Sequence, residues 1–321
     1  MRTSLTRIAV AAITATVLAI TGAACGDAES TDSTTLTVGF VVDPSWAQIP
    51  VAEAAGYFGK HNVTVKVVNF PSGIEALQAV AAGQLDVATA ADVPSAAVLT
   101  RSPTLRVVGD GARWEGSRII ARRSAGISSV GDLAGKAIGT PIGTSAAYFA
   151  ANTLAHNNIQ AELVQVAPSA TVTAATQGNV DAVSIFQPYQ AQVVRALGAD
   201  AVELTGGTYH QHSLYLASQH AVTAKSAALS GFFAALEDAG LDLRNLADPA
   251  LRSVAKATQL EPDLLRTVLP QFDFTLQLTP DLATKLGELG AWGKAQGKIS
   301  AGTELPPYAS FLDTRFLPPT P

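Results

Sequence analysis

Cysteine is nearly absent from this sequence: Cys25 is the only one. That excludes an internal disulfide, a cysteine-built zinc site and an iron–sulfur cluster, so stability has to come from packing. Charge is also scarce. Asp, Glu, Lys and Arg make up 15% of the chain, the formal net charge is -5, and no long run of Lys and Arg occurs. Phosphate binding needs clustered cations, so the composition argues for no nucleic-acid partner. The G-x-S-x-G, P-loop and H-E-x-x-H motifs are missing as well, which removes the usual marks of a serine hydrolase, a nucleotide hydrolase and a zinc protease. What the chain does have is apolar residues, 48% of the total. That is enough to bury a large core and far from a disordered composition.

The single cysteine sits where an export signal should end. Arg2 and Arg7 precede an apolar run from Ile8 to Ile20, and Gly22-Ala23-Ala24 leads into Cys25. A charged start, an apolar stretch and small residues read as a secretory signal over residues 1–24; the stretch is short and Ala/Thr-rich for a transmembrane helix. Small residues directly before a cysteine resemble a bacterial lipobox, with Gly22 where that pattern usually has Leu. The resemblance implies cleavage before Cys25, a diacylglycerol on its sulfur and anchoring to the outer face of the cell membrane, for which two acyl chains suffice. Ordinary cleavage after Ala24 would instead leave a free thiol. Residues 25–35, rich in Ser, Thr and Asp, read as a flexible tether.

From Leu36 onward, β-rich runs alternate with Ala-rich helical stretches. Strands are expected over 36–42, 63–70 and 85–89, with helices over 46–58, stopped by Gly59, and 73–82, capped by Gly83. The same order recurs with strands over 136–140, 162–166 and 181–186 and helices over 144–156 and 169–176. Gly83-Gln84-Leu85-Asp86-Val87-Ala88 matches Gly178-Asn179-Val180-Asp181-Ala182-Val183 in detail, each followed by a proline, Pro94 and Pro188. A helix-ending Gly, a tight loop and a buried strand at equivalent places predict two similar α/β lobes, each with a parallel sheet. Segments 105–109 and 117–123 can cross from lobe one to lobe two, Ser129 to Asp132 fits a capping box, and 214–217 can return. The rest reads as helices over 224–239, 249–258, 262–269 and 280–292. This gives lobe one as 36–110 plus 214–321 and lobe two as 111–213, with a cleft between them.

Several markers in order resemble the solute-binding lipoproteins of ABC importers, in the branch serving aliphatic sulfonates, taurine, nitrate and thiamine-pyrimidine precursors. They are Ala52 to Phe58, Gly83 to Asp86, Ala90-Ala91-Asp92-Val93-Pro94, Ile127 to Lys136, Gly143-Thr144-Ser145-Ala146 and Phe186-Gln187-Pro188-Tyr189. The resemblance implies an α/β, two-lobed, periplasmic-binding-protein-like (type II) fold. It also implies a monomer without enzymatic activity or cofactor, which closes over a small organic solute and hands it to ABC permease and ATPase subunits. Binding of a thiamine precursor or another small metabolite is the alternative. A fold-related enzyme is disfavoured, because the synthase of this fold carries a cysteine-rich iron motif and the related lyases are cytoplasmic.

The strongest ligand candidates are Gly143, Thr144, Ser145 and Ala146, where a Gly before hydroxyl residues opens a helix and offers free N–H groups to an anion. Plain N-capping by Thr144 or Ser145 explains the same pattern. Ala90, Ala91 and Asp92 follow a strand end, Asp92 serving the next helix as a cap or the ligand directly. Ser45 and Trp46 follow strand one in the same way. Arg118, beside Trp114 in the first crossing, suits an oxyanion or an interlobe salt bridge. Gln187 stands where the family usually has Asp or Glu. A neutral amide there predicts that amine-bearing ligands such as taurine bind less well than plain alkanesulfonates. His210 and His212 can face one way, but no third ligand completes a metal site, so no metal is expected, and the two read as cleft or hinge contacts or as plain loop residues.

Overall fold

The alternating pattern builds two mixed sheets in the computed structural model, which describes residues 33–319. The expected signal, Cys25 and most of the tether lie outside the described residues. The strands are β1 (Thr35–Val41), β2 (Thr64–Phe70), β3 (Val87–Ala91), β4 (Arg106–Trp114), β5 (Ile119–Arg122), β6 (Ala137–Thr140), β7 (Glu162–Gln165), β8 (Ala182–Ser184), β9 (Ala201–Leu204), β10 (Gln211–Ala217) and β11 (Phe272–Asp273). One sheet has the order β11-β4-β10-β3-β1-β2 and the other β7-β6-β8-β5-β9.

The repeat read from the sequence is visible in the topology. β2-β1-β3 and β7-β6-β8 are parallel, as helical crossovers require. Neither sheet is wholly parallel, however. β10 lies antiparallel beside β3, and β5 antiparallel beside β8. Each of these strands arrives directly from the other sheet, over residues 205–210 or 115–118, without a helix to reverse its direction. β4 stays in the first sheet to Trp114, and β10 rejoins it at Gln211, a few residues beyond the sequence-based boundaries.

The repeated Asp has the same job in both halves. Asp86 Oδ2 accepts the Thr37 N–H at 2.8 Å and Asp181 Oδ2 accepts the Ala137 N–H at 3.0 Å, so each ties its strand to the opening of the central one. Each also faces a cation: Lys225 Nζ at 3.0 Å from Asp86, Arg122 Nη2 at 3.7 Å from Asp181. Gly83 (φ 74°) and Gly178 (φ 73°) occupy the left-handed turn that precedes each Asp.

Helices cover both faces. Those that matter below are α1 (Gln48–Ala54), α2 (Gly73–Ala81), α3 (Asp92–Leu99), α4 (Ser145–His156), α5 (Tyr189–Leu197), α6 (Ser226–Arg244) and α7 (Asp281–Ala295). The helix expected over 46–58 is broken. A short 3-10 turn covers Pro44–Trp46, α1 ends at Ala54, and a further turn covers Tyr57–Lys60. The break is at Gly56 (φ 74°) rather than Gly59. The helix α5 and strand β9 had no counterpart in the sequence reading.

The first core is built around aromatic rings. Phe232 and Phe233 of α6 meet Tyr215 of β10 edge-on, at centroid distances of 5.8 and 5.6 Å. β4 makes room for them with glycine: a Cβ on Gly109 would lie 2.6 Å from Phe233 Cε1. Gly109→Ala is therefore expected to cost about 1–3 kcal/mol by overpacking, read as a lower urea midpoint with an unchanged slope. The C-terminal chain seals this lobe. Asp313 N–H donates to Val107 O at 2.9 Å, and the Tyr308 hydroxyl donates to Ala96 O of α3 at 2.9 Å.

Candidate functional site

Strand ends from both sheets converge on one small pocket. From the first sheet come Asp43, just past β1, then Trp46, Ala91 at the end of β3, and Gln211 at the start of β10. From the second come Thr144 and Ser145, at the start of α4, and Phe186, just past β8. Strand C-terminal ends facing helix N-termini form the usual ligand position of α/β folds.

The second-sheet wall suits an anion. β6 ends at Thr140, and Gly143 (φ 89°) makes the turn into α4 in a conformation that other residues rarely adopt. Thr144 is the N-cap residue but does not cap: its hydroxyl turns back and donates to Pro141 O at 2.7 Å. The first-turn N–H groups of α4 are therefore left uncapped, with the positive end of the helix dipole behind them.

The first-sheet wall is acidic. Asp43 is 2% exposed. Its Oδ1 accepts the Ser45 N–H at 2.7 Å, and the Ser45 side chain hydrogen-bonds the same carboxylate. No ion pair among the described residues reaches it. Burial pushes its pKa from 3.8 up to about 7, against the pull of the Ser45 hydrogen bonds. The Tyr189 hydroxyl is also raised, by burial first and then by the charge of Asp43. Gln211 Nε2 donates to Ser45 Oγ at 3.3 Å, while Gln211 Oε1 and Trp46 Nε1 are buried without a partner.

Of the residues singled out from sequence, Trp46, Ala91, Thr144 and Ser145 line this cavity. Ser45 supports it through Gln211 and Asp43. Gly143 shapes its turn. Ala146 lies in the first turn of α4, its carbonyl accepting the Ser184 hydroxyl at 2.8 Å. Ala90 is fully buried beneath the wall, packed against Gly73, where an added Cβ would lie 2.9 Å from that of Ala90.

Asp92 does not line the cavity. It opens α3, accepts the Val93 N–H at 2.8 Å, and is bound by the Tyr209 hydroxyl and by the His212 N–H at 3.3 Å. Burial raises its pKa to about 6. Gln187 is also outside the cavity lining: its Oε1 accepts the Ala191 N–H at 3.2 Å and so serves the start of α5. Arg118 lies in a separate open polar cleft beside the crossings, with Arg113, His210 and His212. Its Nη1 donates to Ser117 O at 2.7 Å and Glu115 O at 3.3 Å.

In that second cleft, His210 pairs with Glu115 at 2.6 Å and His212 with Asp110 at 2.7 Å. Burial alone would lower the His212 pKa, but the hydrogen bond and charge of Asp110, with the charge of Asp92, outweigh it and raise it. His212 therefore fastens β10 to β4, while the exposed His210 pairs with Glu115 of the crossing segment. Among the described residues, no group of three His, Cys, Asp or Glu side chains is placed to hold a metal ion.

The sequence reading missed Asp43, Phe186 and Gln211 as site residues. Asp43 had the same signal as Ser45, the position just past strand one. Gln211 lay between the two histidines and carried no signal of its own.

The family described as NMT1/THI5 like matches residues 43–249. A putative binding protein of Brucella abortus is 30% identical over 161 residues, which is 49% of this chain and 49% of that protein. The chain thus spans about half the length of such curated relatives, 49%. Among solved structures, the alkanesulfonate-binding protein SsuA from Xanthomonas axonopodis pv. citri, bound to MOPS, is similar with a TM-score of 0.75 at 20% identity, covering 88% of this chain and 98% of that one. The desulfurization enzyme DszB shares the fold with a TM-score of 0.63 at 15% identity, covering 88% and 97%.

Proposed function

The chain belongs to the NMT1/THI5-like family, and from that membership and the cavity we propose that it is an exported solute-binding protein that captures a small organic anion, sulfonate-like in its head group. In this reading the protein serves an ABC importer, is held to the membrane by lipidated Cys25, and delivers its ligand to a permease. The observation that carries the reading is the uncapped first turn of α4 on the wall of a pocket between two sheets. Such a turn holds an anion without a cationic side chain. The SsuA likeness supports the head group; its name states what that protein binds. Capture then needs a cavity that closes around the solute and no bond-making.

A thermal-shift screen tests it, with alkanesulfonates, nitrate, aromatic carboxylates and thiamine precursors, and with product analysis of each mixture. A ligand at a hundred times its dissociation constant is expected to add about 2.7 kcal/mol and to be recovered unchanged. A well-folded, ligand-free sample that responds to no anion overturns the reading. Recovery of a converted product shifts it toward the enzymatic activity that DszB has on this fold.

A further inference from the structure

We infer that the ligand carries a protonated amine as well as its anionic group, and that Asp43 is the residue that selects for it. The inference rests on the proposed anion-binding function and deepens it.

The cavity is chemically two-ended. Thr144 and Ser145 bring the donors of the α4 N-terminus, and these account for an anion. Asp43 and Gln211 present acceptors, and an anion leaves these unused. The Ser45 hydroxyl takes the Gln211 Nε2 hydrogen bond at 3.3 Å. Gln211 Oε1 is buried and without a partner. Asp43 lacks an ion pair among the described residues. A carboxylate and an amide oxygen together call for a group with several N–H donors and positive charge, and a primary ammonium has three such donors.

A protonated Asp43 that donates to a second anion oxygen is the competing use of this carboxyl. It leaves Gln211 Oε1 facing negative charge, so it fits the wall less well. The neutral Gln187 predicted the reverse preference, against amines, but Gln187 does not line the cavity and Asp43 does.

The test uses matched pairs that differ only in the amine: taurine with ethanesulfonate, and β-alanine with propionate. Binding to the purified protein is measured by calorimetry, beside the Asp43→Asn variant. Asn still accepts the Ser45 N–H, so the turn is kept, and the variant's unliganded melting curve verifies its fold. The amine-bearing member of at least one pair is expected to bind about tenfold tighter or more, and the preference to fall to about one or below in Asp43→Asn. A plain anion bound as tightly as its amine partner, in wild type and variant alike, overturns this inference and leaves the anion reading standing. Binding of no member of either pair, together with no response to any other anion, overturns the anion reading and this inference with it.

Discussion

Asp43→Asn is expected to stabilise the ligand-free protein at pH 7 by about 2–4 kcal/mol. The Asp43 carboxyl is buried and its pKa is raised from 3.8 to about 7. The folded state therefore holds its proton more tightly than the unfolded chain. Stability from this group is fully present below pH 3.8 and is lost as pH rises through about 7. The gap between the two pKa values converts to at most about 4 kcal/mol at pH 7. Asn carries no charge to desolvate, so that loss disappears while the Ser45 N–H bond remains. Tyr189, the titratable group that senses Asp43, has its own pKa raised and stays neutral throughout. Asp92 and His212, both raised, run in the same direction, so the variant keeps a shallower slope instead of a flat profile. Urea unfolding of both proteins at pH 4, 5.5 and 7 measures this. A variant less stable than wild type at pH 7 would show that the carboxylate has a favourable partner in the free protein, and the account of Asp43 as an uncompensated charge would fail. A gain in stability beside a loss of ligand selectivity is the usual trade at a binding residue.

The second large effect separates the two copies of the repeated Asp. Asp86→Ala is expected to cost about 3 kcal/mol and Asp181→Ala about 1 kcal/mol. Both side chains accept an N–H from the opening of the central strand, at 2.8 and 3.0 Å. Their cations differ in depth. Lys225 Nζ is 3.0 Å from Asp86 with side-chain exposures of 9% and 10%, whereas Arg122 is 3.7 Å from Asp181 with exposures of 19% and 32%. The Asp86 pair is shielded from water and the Asp181 pair is partly solvated, so breaking the first costs more. Chemical denaturation of the two variants side by side checks the ratio. Equal losses would mean that the shared strand-tying hydrogen bond, and not the ion pair, sets the cost.

Much of this was readable along the chain. The G-x-h-D-h repeat predicted two like sheets because its parts are local: a left-handed Gly, a tight loop and a buried strand fit within six residues. Thr144 and Ser145 were readable as a helix start for the same reason, and both line the cavity. Local pattern failed where the partner was distant. The helix through Gly56 broke because that residue takes φ 74°, which nothing in the apolar spacing of 46–58 requires. Arg118 looked like an anion ligand, yet its guanidinium is held by carbonyls of its own neighbours in the other cleft.

The sequence by itself determined the alternation of strand and helix, the duplicated lobe and the anion-friendly turn at Gly143, since each depends on residues a few positions apart. Only the tertiary structure decided which chemistry shares the cavity. Ser45 and Gln211 are 166 residues apart and meet because β10 returns antiparallel beside β3. Asp43 reads in sequence as an ordinary turn residue. Its raised pKa comes from desolvation, which is set by what both sheets pack around it and not by its neighbours in the chain.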